Sequence, residues 1–186
     1  MKLHTLFRNS AVLALAVALP VLAAQLKTDP AKSSVSAVFK QMNVPVEGKF
    51  KRFTAQIDYN SAKPDTSKAS MEIDVTSFDL GDAEFNKEAQ KKDWFNGAQF
   101  PRATFVSSAL KPAPGGKLDV TGKLTIKGKT ADVTFPLTVK QEGPAQVFEG
   151  ALPIKRLAFN IGEGEWKDTS MVADEVVIKF RVVATQ

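Results

Sequence analysis

Carboxylates are the side chains whose clustering in this sequence comes nearest to a reaction. Asp79, Asp82 and Glu84 form one group, and Glu163, Glu165 and Asp168 form another. Such groups can hold a calcium ion or, as a facing pair, hydrolyse a glycosidic bond. Neither group has the spacing of a calcium loop, and Asp82 and Glu84 stand where the first turn of a helix favours acids. Other chemistry closes faster. The chain has no cysteine and one histidine, His4. Beyond that residue no imidazole can act as a base near neutral pH and no thiolate can attack. The usual nitrogen and sulfur ligands of zinc and copper are missing as well. No Gly-x-Ser-x-Gly run marks a serine nucleophile. Tyr59 is the only tyrosine, and the two tryptophans are far apart in sequence, so little favours a sugar platform. The residues assign no catalytic group and no metal ligand, and the protein reads as a non-enzyme.

Most of the chain instead alternates apolar and polar residues, the mark of strands with one covered face. The rows are Val35-Ala37-Phe39, Phe53-Ala55-Ile57-Tyr59 and Ala69-Met71-Ile73-Val75 in the first half. Ala103 and Phe105 open a strand ending near Leu110, before a turn at Pro112–Gly116. Leu118-Val120-Gly122-Leu124-Ile126 and Ala131-Val133-Phe135-Leu137-Val139 flank a tight turn at Lys127-Gly128-Lys129. Phe148-Gly150-Leu152-Ile154 and Val176-Ile178-Phe180-Val182-Ala184 follow. Between Phe50 and Phe53 the apolar row changes parity at Lys51-Arg52, which predicts a bulge that bends a long strand. Residues 82–96 do not alternate. Asp82 can cap a helix there that carries Phe85, Ala89 and Phe95 on one side, and Asn96-Gly97 can end it. A second short turn is expected within residues 155–171.

About eight antiparallel strands with short connections make a sandwich or a closed barrel. Gly48, Gly122 and Gly150 on the inward row favour the barrel, because strong curvature needs such residues. An eight-stranded barrel can hold one small ligand or fill with its own side chains.

The first 24 residues have the plan of a cleaved export signal. Lys2 and Arg8 precede an apolar run from Ala11 to Leu19, Pro20 breaks it, and Val21-Leu22-Ala23 supplies the small-x-small pattern. Cleavage is expected after Ala23 or Ala24, leaving one domain over residues 25–186. The apolar run is too short to span a bilayer. Loss of the two leader cations lowers the formal charge from +5 to +3, far from a nucleic-acid-binding balance.

Four stretches, in order, resemble the YceI-like family of exported bacterial proteins. They are VPVEGKFKRFTAQIDY (44–59), IDVTSFDLGDAE (73–84), WFNGAQFPRATFVSS (94–108) and LDVTGKLTIKGKTADVTFPL (118–137). The resemblance implies an all-β, lipocalin-like eight-stranded antiparallel barrel with one short helix, an apolar tunnel, and a periplasmic location. It also implies a polyisoprenoid or quinone tail as ligand and carries no catalytic residues. Relatives place a histidine in the first strand region, where this chain reads Gln41-Met42-Asn43. No head-group contact is carried across at that point.

On this reading the tunnel wall comprises Phe39, Phe53, Ile57, Ile73 and Val75, then Phe105, Leu124, Phe135, Ile178 and Phe180. Phe78, Phe85, Trp94 and Phe95, with Phe100, form a cap or mouth around the helix. The leading expectation is a non-catalytic periplasmic carrier of a long-chain isoprenoid-type lipid, with no cofactor beyond a bound isoprenoid or quinone lipid. The alternative is an envelope interaction or structural protein whose barrel is packed solid and holds no lipid. Lys49, Lys51, Arg52, Lys87, Lys91, Lys92, Lys127 and Lys129 form either a solvated outer face or a transient dock for an anionic membrane surface. The barrel's outer face leaves a homodimer open without demanding one, and nucleic acid is not an expected partner.

Overall fold

The computed structural model describes residues 25–186, so the expected leader over residues 1–24 lies outside it. Within the described residues the strands are β1 (Gln25–Thr28), β2 (Ser34–Gln41), β3 (Val44–Phe50), β4 (Phe53–Asp58), β5 (Lys68–Asp74) and β6 (Phe78–Asp79). After helix α1 (Ala83–Ala89) come β7 (Arg102–Ala113), β8 (Lys117–Ile126), β9 (Lys129–Glu142), β10 (Ala145–Lys155) and β11 (Val172–Thr185). All pair antiparallel in one sheet whose ends meet. β3 and β4 are two halves of one bent strand, β3 paired with β2 and β4 with β5. β1 fills the gap between β4 and β11 where the bent strand leaves β2. Counted this way the walls are the eight strands of a closed barrel, as the pattern predicts.

The expected bend falls at Lys51-Arg52, and a buried serine holds it. Lys51 N donates to Ser77 O at 3.2 Å and Arg52 N donates to Ser77 Oγ at 2.9 Å. The Arg52 side chain grips Asp74 and Thr76 on the same 3-10 turn. A kinked strand loses ladder bonds, and these contacts replace them. A second irregularity shifts the register between Ser107 and Ala109, so β7 buries Ala103 and then Leu110, on opposite parity. β7 also runs to Ala113, three residues past the expected end at Leu110. The two-residue turn Lys127-Gly128 has positive φ at both positions, 47° and 73°, the geometry that matches hairpin twist.

The helix is shorter than the sequence predicts. Asp82 Oδ1 caps it by accepting from Glu84 N and Phe85 N, as expected. It stops at Ala89, where Phe95 N bonds back to Ala89 O at 3.0 Å and irregular turns take over. Trp94 and Phe95 both point inward, Trp94 toward Trp166 and Phe95 toward Phe50 and Phe78. Adjacent residues of a regular helix diverge by about 100°, so this double inward placement needs irregular backbone.

The barrel is packed at one end and open at the other. Leu26, Ile57, Leu110, Leu118, Val120, Leu137, Phe148, Val182 and Ala184 fill the end that carries β1 and the last residues of β11. Above them Phe105, Phe135 and Phe180 stack with centroids 5.5 Å apart at each step. The inward glycines act as seats for rings. A Cβ on Gly122 would lie 2.6 Å from the Phe105 ring, and one on Gly150 would lie 2.4 Å from Phe180. Gly48 seats Phe78 in the same way.

Gly122 has the least yielding seat, because its added methyl would also meet the backbone oxygen of Val106 at 2.4 Å. Gly122→Ala is expected to destabilise the fold by about 1–3 kcal/mol through overpacking. Urea unfolding should show a lower midpoint with an unchanged slope; an unchanged midpoint would contradict the seat.

Candidate functional site: an apolar cavity under a lid

Above the phenylalanine stack the barrel is hollow. The cavity is about 310 Å³. Its walls are the inward positions of β2 and β3 (Ala37, Phe39, Gln41, Val46, Phe50) and of β5, β7 and β8 (Ile73, Ala103, Leu124, Ile126). β10 and β11 complete the ring with Ile154, Val172, Val176 and Ile178. The lid consists of α1 with the turns after it, and of the β10–β11 connection. Phe85 lines the cavity and is 57 % exposed, so the cavity opens to solvent beside α1.

Nine of the expected residues meet here: Phe39, Ile73, Val75, Leu124 and Ile178 in the wall, and Phe78, Phe85, Trp94 and Phe95 around the lid. Six do not, and the expected tunnel is correspondingly shortened. Phe105, Phe135 and Phe180 are its floor rather than its sides, because the glycine seats let their rings meet across the barrel. Ile57 lies in the packed core beneath that floor, and Phe53, just past the bend, lies outside the lining. Phe100 belongs to an outer cleft, its ring against Gly128.

Pattern reading missed the group that holds the lid. Arg156, 2 % exposed, lines the cavity from the 3-10 turn that follows β10. Its Nε donates to Ala173 O at 3.1 Å. One terminal nitrogen donates to Ile161 O and Gly162 O at 2.8 and 3.1 Å, the other to Trp166 O and Val172 O at 2.6 and 2.7 Å. All five N–H groups of the fork are thereby used. Burial pulls its pKa down and the Asp174 carboxylate pulls it back up; an arginine remains charged regardless. The guanidinium carbon lies 5.8 Å from the Trp94 ring centre, and Trp94 and Trp166 pack at 5.4 Å. Gly162 is required beside it, since φ is +76° and a Cβ would fall 2.0 Å from the guanidinium.

Two further ties fix the lid. Lys127, expected on an outer basic face, is buried: its Nζ donates to Lys92 O, Asn160 O and Glu163 at 2.7, 2.6 and 3.0 Å. The hairpin turn delivers it under the lid, and its hydrogen bond holds the Glu163 carboxyl below the usual carboxylate range. Asp79 accepts from Lys51, Asn86 and Gly81, which hold its carboxyl far below that range and anchor the start of α1. Lys51, Arg52 and Lys91 are ion-paired with Asp79, Asp74 and Glu88. Much of the proposed basic face is therefore occupied internally. Asp79, Asp82, Glu163 and Asp168 of the two acidic clusters are likewise spent on caps, turns and these ties.

Arg156→Lys keeps the charge but cannot satisfy five carbonyls, and it should destabilise the protein by on the order of 3 kcal/mol. Both tryptophans, Trp94 and Trp166, sit in the lid, so their emission should shift to the red in the variant. Unchanged emission and stability would contradict the assigned role.

A family model described as the YceI-like domain matches residues 26–184. The crystal structure of BcnA from Burkholderia cenocepacia is 62 % identical and superposes with a TM-score of 0.84, covering 86 % of this chain and 100 % of that one. A Campylobacter jejuni YCEI protein has 23 % identity and a TM-score of 0.70, over 76 % of this chain and 85 % of that one. A polyisoprenoid binding domain from Saccharophagus degradans, implicated in plant cell wall breakdown, has 18 % identity and a TM-score of 0.66, over 88 % and 98 %. These last two likenesses show the fold. A UPF0312 protein of Pseudomonas putida strain W619 is 38 % identical over 98 residues, 53 % of this chain and 51 % of that protein. The match thus spans about half the length of the curated relatives. Barrel, cavity and family match agree, and the chain belongs to the YceI-like family.

Proposed function

We propose that this protein is a non-catalytic periplasmic binding or carrier protein for a long apolar ligand, an isoprenoid or quinone tail. The observation that carries the reading is the cavity itself. Its charged and amide side chains are Gln41, Glu88 and Arg156, beside the indoles of Trp94 and Trp166. Arg156 has no donor left to offer, and Glu88 is held by Lys91. An apolar chain needs no polar partner in the wall and gains about 0.8 kcal/mol per buried methylene, part of it offset by the ordering of the chain. The family membership and the fold shared with a polyisoprenoid binding domain support the same ligand class. A periplasmic home rests on the leader-like start of the sequence.

Cavity size limits how the ligand sits. A volume of 310 Å³ holds about ten groups of water or methylene size, so the rest of a longer chain leaves through the mouth beside Phe85. Gln41 lines the cavity and presents an amide to a ligand there.

The test is a chain-length series of linear isoprenoid alcohols titrated against tryptophan emission. Affinity should rise by up to about 0.8 kcal/mol per carbon until roughly ten carbons are buried, then flatten. Val176→Phe, a half-buried wall position on β11, should weaken binding about tenfold or more by filling the space. Absence of binding at every length, or affinity that follows the head group and ignores the chain, would overturn the reading.

A further inference from the structure

Three of the five large apolar side chains exposed among the described residues gather where the β2–β3 turn meets the start of β11, and a fourth, Phe85, lines the same cavity. Met42 is 67 % exposed, Val44 62 %, Phe85 57 % and Met171 43 %. Met42 N donates to Met171 O at 2.8 Å, which joins the β2–β3 turn to the start of β11. Between them Gln41 pairs with both Val44 and Val172, and both Gln41 and Val172 line the cavity. Phe85 lines it directly from the other side. The apolar surface of the interior therefore continues over the lip onto the outside. Met42 stands at φ 48° and Asn43 at 64°. Asn or Gly occupies such turn positions without strain, whereas methionine does not, so a long apolar side chain is held outward there at a conformational penalty.

From this we infer that the rim formed by Met42, Val44, Phe85 and Met171 inserts into the surface of a lipid bilayer, setting the cavity mouth against the membrane. The inference rests on the ligand reading above: a chain that only partly fits the cavity keeps its remainder out of water if the mouth faces lipid. The area argues against a second copy as occupant. Four partly exposed side chains present on the order of 400 Å², about half of what each partner buries in a standard protein interface. A bilayer needs no shape complement, and patches of that size are commonly functional. Charges beside the rim are mixed, Lys40 and Lys87 with Glu47 and Glu84, all exposed. The contact is apolar, in place of the lysine face that lies partly in internal pairs.

The experiment is co-sedimentation of the purified protein with vesicles of phosphatidylcholine alone. Met42→Asp with Val44→Asp should weaken vesicle binding about tenfold or more; Asp tolerates the turn conformation at residue 42. Val106→Asp is the control, because Val106 is 56 % exposed on β7 beside the floor residue Phe105, away from the mouth. It should leave binding unchanged, as should raised salt. Met42→Ser with Met171→Ser should reproduce a smaller loss without added charge. Farnesol uptake in vesicle-free buffer, read by tryptophan emission, should be the same in wild type and the rim variants. Wild type that ignores vesicles, rim variants that bind as wild type does, or equal loss in Val106→Asp would overturn the inference. So would binding that salt abolishes, or a dimer in solution that Met42→Asp splits. Wild type that takes up no farnesol would instead overturn the ligand reading, and vesicle binding without it would show the two failures apart.

Discussion

One buried guanidinium makes a roof out of a loop. The β10–β11 connection must cross the open end of a barrel whose interior is apolar, and its backbone carbonyls would otherwise face that interior or each other. Arg156 takes five of them from three separate places in the chain, at residues 161–162, 166 and 172–173. Each unpaired carbonyl would cost about 1–3 kcal/mol, so one side chain sets the conformation of the whole segment. The same contacts make the buried charge tolerable, since carbonyl dipoles and the face of Trp94 replace the solvent it lost. With every donor satisfied, the guanidinium offers no hydrogen bond to the cavity it lines.

The rest of the barrel divides its labour accordingly. The end that carries β1 is packed solid and supplies stability, while the lid end keeps a void whose lining forgoes packing contacts. The boundary is three phenylalanine rings, two of which rest on glycines. Ring and glycine are a matched pair: without the glycine the ring cannot cross the barrel, and without the ring the floor is open to the core beneath. The bend at Lys51-Arg52, fastened to Ser77, lets one strand serve both ends, pairing with β2 around the cavity and with β5 around the core.

Period-two alternation made the strands legible, because each has one wet and one dry face; β8 follows that rule residue by residue. The parity change at Lys51-Arg52 and the acid at Asp82 were equally readable, as local causes with local effects. What alternation cannot distinguish is an inward residue that lines a void from one that fills it. Phe39 and Phe135 look alike in sequence, yet one faces the cavity and the other closes it. The floor depends on which glycine lies opposite which ring across the sheet, a register property. Arg156 and Lys127 were illegible as interior groups, since burial of a cation depends on carbonyls and carboxylates brought from elsewhere in the chain. The helix was overextended because Trp94 and Phe95, apolar neighbours in sequence, suggest a continuing apolar face while their packing requires its end.

The claim on which everything turns is that the void above the phenylalanine floor is a berth for hydrocarbon. Native mass spectrometry of protein isolated from its producing cells without detergent, followed by solvent extraction of whatever it carries, tests this most directly. A stoichiometric adduct is expected that extracts into apolar solvent and has the mass spacing of an isoprenoid chain. Bare protein alone, or a polar molecule in that adduct's place, would contradict it.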